Sequence, residues 1–368
     1  MIHEIRVDRS IPVRERPDGC HTRWHPDIPP VLTCRPSDEV VIETRDAVDG
    51  HFTLDSTHGD VLRADRSIVH PLTGPIRVEG AQPGDVLAVE VLDVMPSSFG
   101  YTAQIPGFGF LADEFPDPFL VRWEVDGAWA ASPDLPGVRV PAAPFMGTMG
   151  VAPSRSLLGS ITARERALKA AGADVALPQP DGAVPAIEPI ASEGLRTKPP
   201  RENGGNLDVR GMGIGTTVLL PAWVEGANLS VGDGHVAQGD GEVCGTAIET
   251  AATVRVRLDV RSGAARERDL KDVAFETPKR VASRGGPAFS TTGLSVYADD
   301  GGKPGDLTLA ARAALRNMIA HLVDERGLTR QQAYALCSVV VDLAAAEVVD
   351  LPNLVVTATI PLDVFTQR

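Results

Sequence analysis

The chain of 368 residues is long enough for one large domain or two medium ones with a sizeable hydrophobic core. Its hydrophobic content of 43% is ordinary for a globular protein, but its net charge of -14 argues against nucleic-acid and anionic-membrane partners, because like charges repel. Many Gly (36) and Pro (30) residues and few aromatic ones (5%) favour a β-rich fold with many turns over a helix bundle.

The sequence shows no sign of export or membrane insertion. Its first residues lack the basic segment and apolar run of a secretory signal, and no stretch approaches the roughly 20 apolar residues of a spanning helix. The four cysteines are scattered without CxxC spacing. We therefore expect a cytoplasmic protein with free thiols.

Apolar runs predict strands over much of the chain. Residues 85–94 are nearly all apolar, as in a strand buried on both faces. Residues 218–231 indicate two strands joined at a Glu225-Gly226 turn. Residues 253–261 alternate between apolar and charged side chains, which predicts a strand with one buried face.

Between residues 154 and 202 the strand pattern is lost. A short helical stretch around residues 161–171 is followed by Pro-rich chain with little periodicity. Excursions of this length in a compact domain are usually functional. We interpret it as a lid over a cleft. A second polar, Gly-rich stretch runs through residues 261–305.

Two helices and a strand are predicted near the end of the chain. Apolar residues at helical spacing place the first helix within residues 306–327. The second begins at a capping box of Thr329 and Gln332, and we expect Leu343 on its apolar face. The final strand covers residues 354–360.

This order of elements predicts an α+β fold, mainly β. We expect a single domain over residues 1–368, with a β-sandwich core and a helical subregion at residues 306–368.

The strongest chemical signal is the string GDGHVAQGDGE at residues 232–242. Residues two apart in an extended segment share a face, so Asp233 pairs with His235 and Asp240 with Glu242. The glycines allow a tight turn that joins the two pairs. Imidazole with carboxylates is a ligand set for Zn²⁺ or a similar divalent ion. The alternative is a surface turn with one exposed histidine.

A second polar cluster lies nearer the start of the chain. His58, Asp60, Asp65 and His70 fall among turn signals. We interpret His58 as part of a solvated loop. His70 follows an apolar pair and precedes a fixed turn. Its spacing is equally consistent with a metal ligand and with a residue of a solvated loop.

A third cluster holds Asn206 and Asp208, two apart, before a strand. The GMGIG string after them lacks the spacing and context of a nucleotide-binding loop, so we reject nucleotide binding. No GxSxG elbow occurs. Cys244, near Glu242, is possible as a thiolate nucleophile, although an isolated cysteine entering an apolar strand is more often packed core.

Together these segments resemble the acetamidase/formamidase family. The matching strings are HPLTGPIRVEGAQPGDVLAVEVLDV from His70, GGNLDVR from Gly204 and VGDGHVAQGDGEVCGTAIE from Val231. PFMGTMGVAP from Pro144 also matches, and HTRWHPDIPPVLT from His21 is similar to the formamidase-like branch. The resemblance covers nearly the whole chain.

The resemblance implies hydrolysis of short primary amides, such as formamide and acetamide, to a carboxylate and ammonia. It also implies a jelly-roll-like β-sandwich with helical additions, a homo-oligomer, and zinc or sometimes calcium in an acidic cleft. The matching polar positions are His70, Asn206, Asp208, Asp233, His235, Gln238 and Glu242, with Asp60 and Asp65 in a more variable loop.

These positions suggest a division of roles. A divalent ion polarises the amide carbonyl and acidifies bound water, while a carboxylate moves the proton to the leaving nitrogen. The predicted catalytic residues are Glu242 as that proton shuttle, His235 and Asp208. The predicted metal ligands are Asp208, His235, Asp233, His70, Asp65 and Asp60. The predicted substrate-binding residues are Asn206, Gln238 and His70.

Two alternatives come from other classes. One is a metal-free cysteine amidase that uses Cys244, and the other is a non-catalytic, metal-stabilised β-sandwich binding module. The scarcity of aromatic residues predicts a small pocket that admits small amides and excludes benzamide. The preference between formamide and acetamide stays open.

Overall fold

The computed structural model describes residues 1–277, 286–297 and 301–366. Strands dominate these residues, which confirms the mainly β class. None of the helices among them is long and apolar enough to cross a membrane. The jelly-roll topology and the single-domain organisation stay predictions.

The strands are numbered in chain order. They are β1 (Ile2–Ile5), β2 (Cys20–His21), β3 (Arg23–Trp24), β4 (Leu32–Cys34), β5 (Glu39–Glu43), β6 (Leu72–Val78), β7 (Val86–Pro96), β8 (Phe99–Gln104), β9 (Phe119–Val125), β10 (Trp129–Ala131), β11 (Arg139–Pro141), β12 (Phe145–Val151), β13 (Leu195–Arg196), β14 (Gly204–Asn206), β15 (Thr217–Pro221), β16 (Leu229–His235), β17 (Glu249–Thr250), β18 (Ala252–Arg261), β19 (Ala274–Glu276), β20 (Ala288–Leu294), β21 (Val296–Tyr297), β22 (Gly301–Gly302), β23 (Asp342–Glu347) and β24 (Val355–Pro361).

The helices are numbered in the same way. They are α1 (Arg155–Ala170), α2 (Ile190–Glu193), α3 (Ala264–Glu267), α4 (Leu307–Arg326) and α5 (Arg330–Val340).

Two large sheets share one apolar core. The six-stranded sheet has the order β1-β5-β18-β7-β15-β19. The eleven-stranded sheet runs β11-β10-β9-β8-β17-β16-β12-β14, with β6 also paired to β16 and carrying β2 and β4. Buried side chains from both sheets, such as Val256 and Leu258 of one and Met149 and Val231 of the other, form a single cluster. This packing is the sandwich that the sequence predicts.

The strands predicted from the clearest patterns are present. The alternation in β18 buries Val254, Val256 and Leu258, while Arg255 and Arg257 form ion pairs with Glu39 on the neighbouring strand. The run predicted at residues 85–94 lies in β7 from residue 86 onward, and residues 218–231 span β15 and the start of β16, with the predicted turn between them.

The C-terminal helices pack on a second, smaller sheet. Helices α4 and α5 lie against the three-stranded sheet β20-β24-β23 and share an apolar cluster with β9 and β10. Both halves of the predicted capping box at Thr329 and Gln332 are formed. Leu343 is a correction, because α5 ends at Val340 and Leu343 lies on β23.

Two connecting stretches contain more structure than predicted. The helix expected at residues 161–171 begins earlier, since Ser154 caps α1 by accepting a hydrogen bond from the backbone N–H of Leu157. The stretch at residues 261–305 holds α3, β19 and β20. Its residues 278–285 and 298–300 lie outside the described part of the chain.

Candidate active site

A cavity of about 710 Å³ lies beside β16 of the eleven-stranded sheet and is also lined by the adjacent strands β17 and β8. Three kinds of side chain line it. The first kind comprises five carboxylates and one imidazole: Asp174, Asp208, Asp233, Glu242, Glu249 and His70. Apolar side chains form a wall, among them Phe52, Val61, Tyr101, Ile105 and Phe108. Basic side chains complete the lining: Arg66, Arg196 and Lys198.

Strand β16 provides the centre of the site. Asp233 and His235 are two apart on this strand, and both are buried. Asp233 Oδ1 lies 3.6 Å from His235 Nε2 and 3.7 Å from His70 Nε2. The predicted pairing of Asp233 with His235 on one face is therefore formed.

Strand β17 adds a carboxylate that sequence reasoning missed. Glu249 is the register partner of His235, and its Oε2 lies 3.3 Å from His235 Nε2. Its other oxygen, Oε1, accepts a hydrogen bond from the backbone N–H of Ala247. Glu249 is only 4% exposed. The available signal was an acidic residue directly after the apolar pair Ala247-Ile248, where a buried strand would normally continue with apolar residues.

Asp208 reaches the site from the turn after β14. Its φ of 50° lies in the left-handed region, and its backbone N–H donates to the carbonyl of Gly147. Asn206 orients the carboxylate, because its Nδ2 donates to Asp208 Oδ2 at 2.8 Å. Thr148 in turn donates to Asn206 Oδ1. Because Asn206 and Asp208 are two apart, Asn206 can hold the Asp208 carboxylate in a fixed position.

Gly147 on β12 allows this convergence. A Cβ at this position would lie 2.5 Å from Asp208 Oδ1 and 2.8 Å from Asp233 Oδ2. Real Cβ atoms almost never come so close to another heavy atom. Only glycine lets the two carboxylates meet above this strand.

Gln238 fixes the imidazole of His235. Its Nε2 donates to the carbonyl of Asp208, so its Oε1 faces His235 and accepts from Nδ1 at 3.0 Å. With its proton on Nδ1, a neutral His235 directs the Nε2 lone pair towards the carboxylates. Both polar ends of Gln238 are bound within the protein, and it does not line the cavity. In the structure Gln238 orients His235, and its predicted contact with substrate stays a prediction.

Four buried atoms in this cluster have no hydrogen-bond partner among the described residues. They are Asp208 Oδ1, Asp233 Oδ1, His235 Nε2 and Glu249 Oε2, and the adjacent His70 has an unpartnered Nδ1 as well. Buried polar atoms are nearly always partnered in folded proteins, because leaving one unpaired is costly. Two overlapping ligand groups lie within 4.8 Å: Asp208, Asp233 and His235, and His235, Glu242 and Glu249. These residues fit the requirements of a divalent metal ion.

The electrostatics of the cluster reflect crowded carboxylates. Burial, followed by the charge of Asp233, raises the pKa of Asp208 to about 8. Burial raises the pKa of Glu249 to about 7, and burial together with Asp208 raises the pKa of Glu242 well above its usual value. Burial opposes ionisation of His235, but Glu249 and Asp233 outweigh it and raise its pKa.

Asp233 is the exception among these acids. Burial alone would raise its pKa, but the neighbouring His70 and His235 lower it below its usual value. Without a metal ion, several of these carboxylates therefore keep their protons while Asp233 is ionised. A cation would compete with those protons for the same oxygen atoms.

Three acids from the sequence-based clusters lie elsewhere, and these predictions are corrected. Asp60 caps a short helical turn through Thr57 and pairs with Arg63. Asp65 pairs with Arg14, and Asp240 is an exposed partner of Arg210. None of the three lines the cavity or belongs to the ligand groups.

Cys244 is packed away from the cavity. Its side chain is fully buried, its Sγ lies 3.7 Å from the Thr246 carbonyl oxygen, and it does not line the cavity. Burial raises the pKa of Cys244 to about 11. A thiol so placed is protonated at neutral pH and is a poor nucleophile.

The excursion at residues 154–202 contributes to the cavity wall. Asp174, Gln179 and Lys198 are among its lining residues. Arg23 anchors the excursion, because its Nη2 donates to the carbonyl oxygens of Gln179 and Asp181. The cavity is larger and more aromatic than the sequence suggested, since three of the chain's few aromatic side chains are concentrated in its wall.

Comparisons with known proteins agree over nearly the whole chain. The acetamidase/formamidase family model matches residues 6–367. The chain is 37% identical to an acetamidase from Mycolicibacterium smegmatis, over 90% of this chain and 87% of that protein. It is 33% identical to a formamidase from Methylophilus methylotrophus, over 98% of this chain and 93% of that one. A solved structure, a gamma lactamase from Delftia acidovorans, matches with a TM-score of 0.93 at 32% identity, covering 100% of this chain and 94% of that one.

Proposed function

The chain belongs to the acetamidase/formamidase family, and on this premise we propose that it hydrolyses short aliphatic primary amides at a divalent-metal centre. Family membership confirms the resemblance found in the sequence and makes the chain an amidohydrolase that acts on short amides. The metal and the roles of individual residues are the parts that we propose.

The convergence of four unpartnered ligand atoms supports the metal centre most strongly. Asp208, Asp233, His235 and Glu249 each direct one such atom into the same cluster. The buried imidazole favours zinc or a similar ion over calcium, because Ca²⁺ prefers an all-oxygen ligand set. His70, whose Nε2 is near Asp233, completes the candidate ligands.

A bound divalent ion would polarise the amide carbonyl and lower the pKa of a bound water. The residues of the chain then have separate tasks. Glu242 lines the cavity with a raised pKa, so it is suited to take a proton from water and pass it to the leaving nitrogen. Asn206 and Gln238 hold Asp208 and His235 in place through the hydrogen bonds described above.

Two observations argue against the alternatives that the sequence leaves open. The high pKa and burial of Cys244 argue against a cysteine amidase. Family membership argues against a non-catalytic binding module. Zinc as the resident ion, a homo-oligomer and a cytoplasmic location stay predictions.

A second candidate activity is hydrolysis of a cyclic amide. The solved relative with a TM-score of 0.93 is a gamma lactamase. The cavity of about 710 Å³ falls in the range of roughly 300–1,000 Å³ that suits drug-sized ligands, and it exceeds what acetamide needs. The aromatic and aliphatic wall would accommodate a small ring.

The test is a series of kcat/KM values for one preparation. Formamide, acetamide, propionamide, butyramide and benzamide are compared by ammonia release, and a γ-lactam by formation of its amino acid. We expect the short aliphatic amides to be cleaved faster than benzamide. Absence of turnover on every short amide would overturn the proposed function, and turnover of the lactam alone would replace it with the second candidate.

A further inference from the structure

The cavity contains positive charge that hydrolysis of a neutral amide does not require. Arg66, Arg196 and Lys198 line it, and we call these three residues the cationic cluster. Within the described residues, no carboxylate oxygen forms an ion pair with any of them. The acidic chain as a whole carries a net charge of -14, so an unpaired basic cluster at this place is unexpected.

Two members of the cluster, Arg196 and Lys198, are at least partly buried, whereas Arg66 is exposed. Arg196 is 8% exposed, and its buried Nε has no hydrogen-bond partner. Its Nη2 donates only to a backbone carbonyl, that of Arg66. Lys198 is half-buried. Desolvating a cation without a counter-ion is costly, so a bound anion would stabilise this arrangement.

The cluster is fixed to the catalytic site by a pair of hydrogen bonds. The backbone N–H of His70 donates to Thr197 Oγ1 at 2.6 Å, and Thr197 Oγ1 donates to the carbonyl of His70 at 2.9 Å. Thr197 lies between Arg196 and Lys198 in the chain. The same contacts that place His70 near Asp233 therefore place the cationic cluster in the same cavity.

An aromatic ring holds the ammonium group in place. Lys198 Nζ lies 3.9 Å from the centroid of the Phe108 ring, a favourable cation–π distance. Gly245 packs against the edge of that ring, where a Cβ would come within 2.5 Å of it. Asp174 is the acidic lining residue outside the catalytic cluster, and its side chain is fully exposed to solvent.

We propose that the favoured substrates carry a carboxylate at the end remote from the amide, as in monoamides of short dicarboxylic acids. The cationic cluster would bind that carboxylate, the apolar wall would pack on the methylene groups, and the amide would lie at the catalytic cluster. This inference depends on the proposed amide hydrolysis. It explains why the cavity exceeds the size of acetamide and why it contains basic groups.

The experiment compares succinamate and butyramide, which share the amide and a two-methylene spacer and differ in a terminal carboxylate against a methyl group. For the wild-type protein we expect kcat/KM for succinamate to exceed that for butyramide about tenfold or more, the usual scale of a charge-assisted hydrogen bond. The preference should lie mainly in KM and should weaken at high salt.

Lys198→Met retains the apolar stem and removes the charge. We expect this variant to lower the ratio of the two kcat/KM values about tenfold and Lys198→Arg to restore it. The matched control is Lys303→Met, since Lys303 is 77% exposed and does not line the cavity; this control should keep the wild-type ratio.

The outcomes separate the two proposals. If butyramide is cleaved but succinamate is no better, or if the ratio is insensitive to Lys198→Met, the carboxylate inference is wrong and amide hydrolysis stands. If neither compound nor any short amide is cleaved, both proposals are overturned.

Discussion

Glu249 and His235 lie opposite each other on two antiparallel strands, with Glu249 Oε2 3.3 Å from His235 Nε2. They are separated by fourteen positions, and only the register of β16 with β17 brings them together. The contact adds Glu249 to the proposed metal site, and it raises the pKa of His235 against the effect of burial.

Glu249→Gln should therefore impair the enzyme. The change keeps the shape of the side chain but removes a negative charge beside His235. Changing a residue that only orients a metal ligand typically lowers metal affinity about 10–100-fold, so we expect loss of a ligand to lower it by at least that much and kcat to fall with it. Metal titration and steady-state kinetics measure the two effects. Glu276→Gln is the control, because Glu276 lies on β19 in the other sheet and is 54% exposed. Equal effects of the two substitutions would contradict a role for Glu249.

Glu242→Gln should separate proton transfer from folding. If Glu242 moves the proton, its amide variant should lose about 10²-fold or more in kcat, the usual scale of general acid–base catalysis. Cys244→Ala should keep substantial activity, because its thiol is buried outside the cavity. The reverse result, with a thioester trapped on Cys244, would support the cysteine mechanism instead.

Gly147→Ala should damage the site without a change in charge. The new methyl group would lie 2.5 Å from Asp208 Oδ1, so the carboxylates must move apart. We expect loss of bound metal and of amidase activity. The control is Gly159→Ala on α1, where nothing lies within 4 Å and where alanine should stabilise the helix by about 0.5–1 kcal/mol. Normal metal content in Gly147→Ala would show that the close approach is unimportant.

The metal-free protein should become less stable as the pH rises. Asp208 and Glu249 keep their protons to a pKa of about 8 and about 7, whereas in the unfolded chain they lose them near pH 4. Between these values the folded state binds more protons, so the free energy of unfolding falls as pH rises. The raised pKa of His235 acts in the same direction, since its favourable charge is lost on deprotonation.

Thermal unfolding of chelator-treated protein between pH 5 and pH 8 measures this effect. We expect Tm to fall across the window, and we expect Asp208→Asn to flatten the slope because it removes one of the protons involved. Metal-loaded wild-type protein should show a smaller fall. A Tm that rises with pH in wild-type protein, or a slope that Asp208→Asn leaves unchanged, would contradict the proton-storing cluster.

The sequence predicted what depends on local pattern. The alternation in β18 and the capping box of α5 follow from spacing within one element, and both are formed. The Asp233–His235 pair also follows from spacing, because both residues lie on β16. Family resemblance contributed the position of Gln238, which local pattern alone would leave open.

The errors arose where long-range packing decides the outcome. Asp60 and Asp65 resemble ligands in composition, but each forms an ion pair with a nearby arginine outside the site. The sequence does not identify Glu249 as a site residue. Strand register places it beside His235, and a single sequence does not reveal that register. The spacing of Leu343 predicts a helical position because the apolar pattern continues past Val340, where α5 ends.

We propose that amide hydrolysis takes place at a metal ion held by Asp208, Asp233, His235 and Glu249. One measurement tests this directly. Chelator-treated protein is reloaded stepwise with Zn²⁺, and bound metal and ammonia release from acetamide are measured on the same samples, with Asp208→Asn beside the wild type. We predict that wild-type activity is absent without metal and rises in proportion to the metal bound, while Asp208→Asn binds weakly and stays inactive. Full acetamide hydrolysis by protein shown to be free of metal would contradict the account.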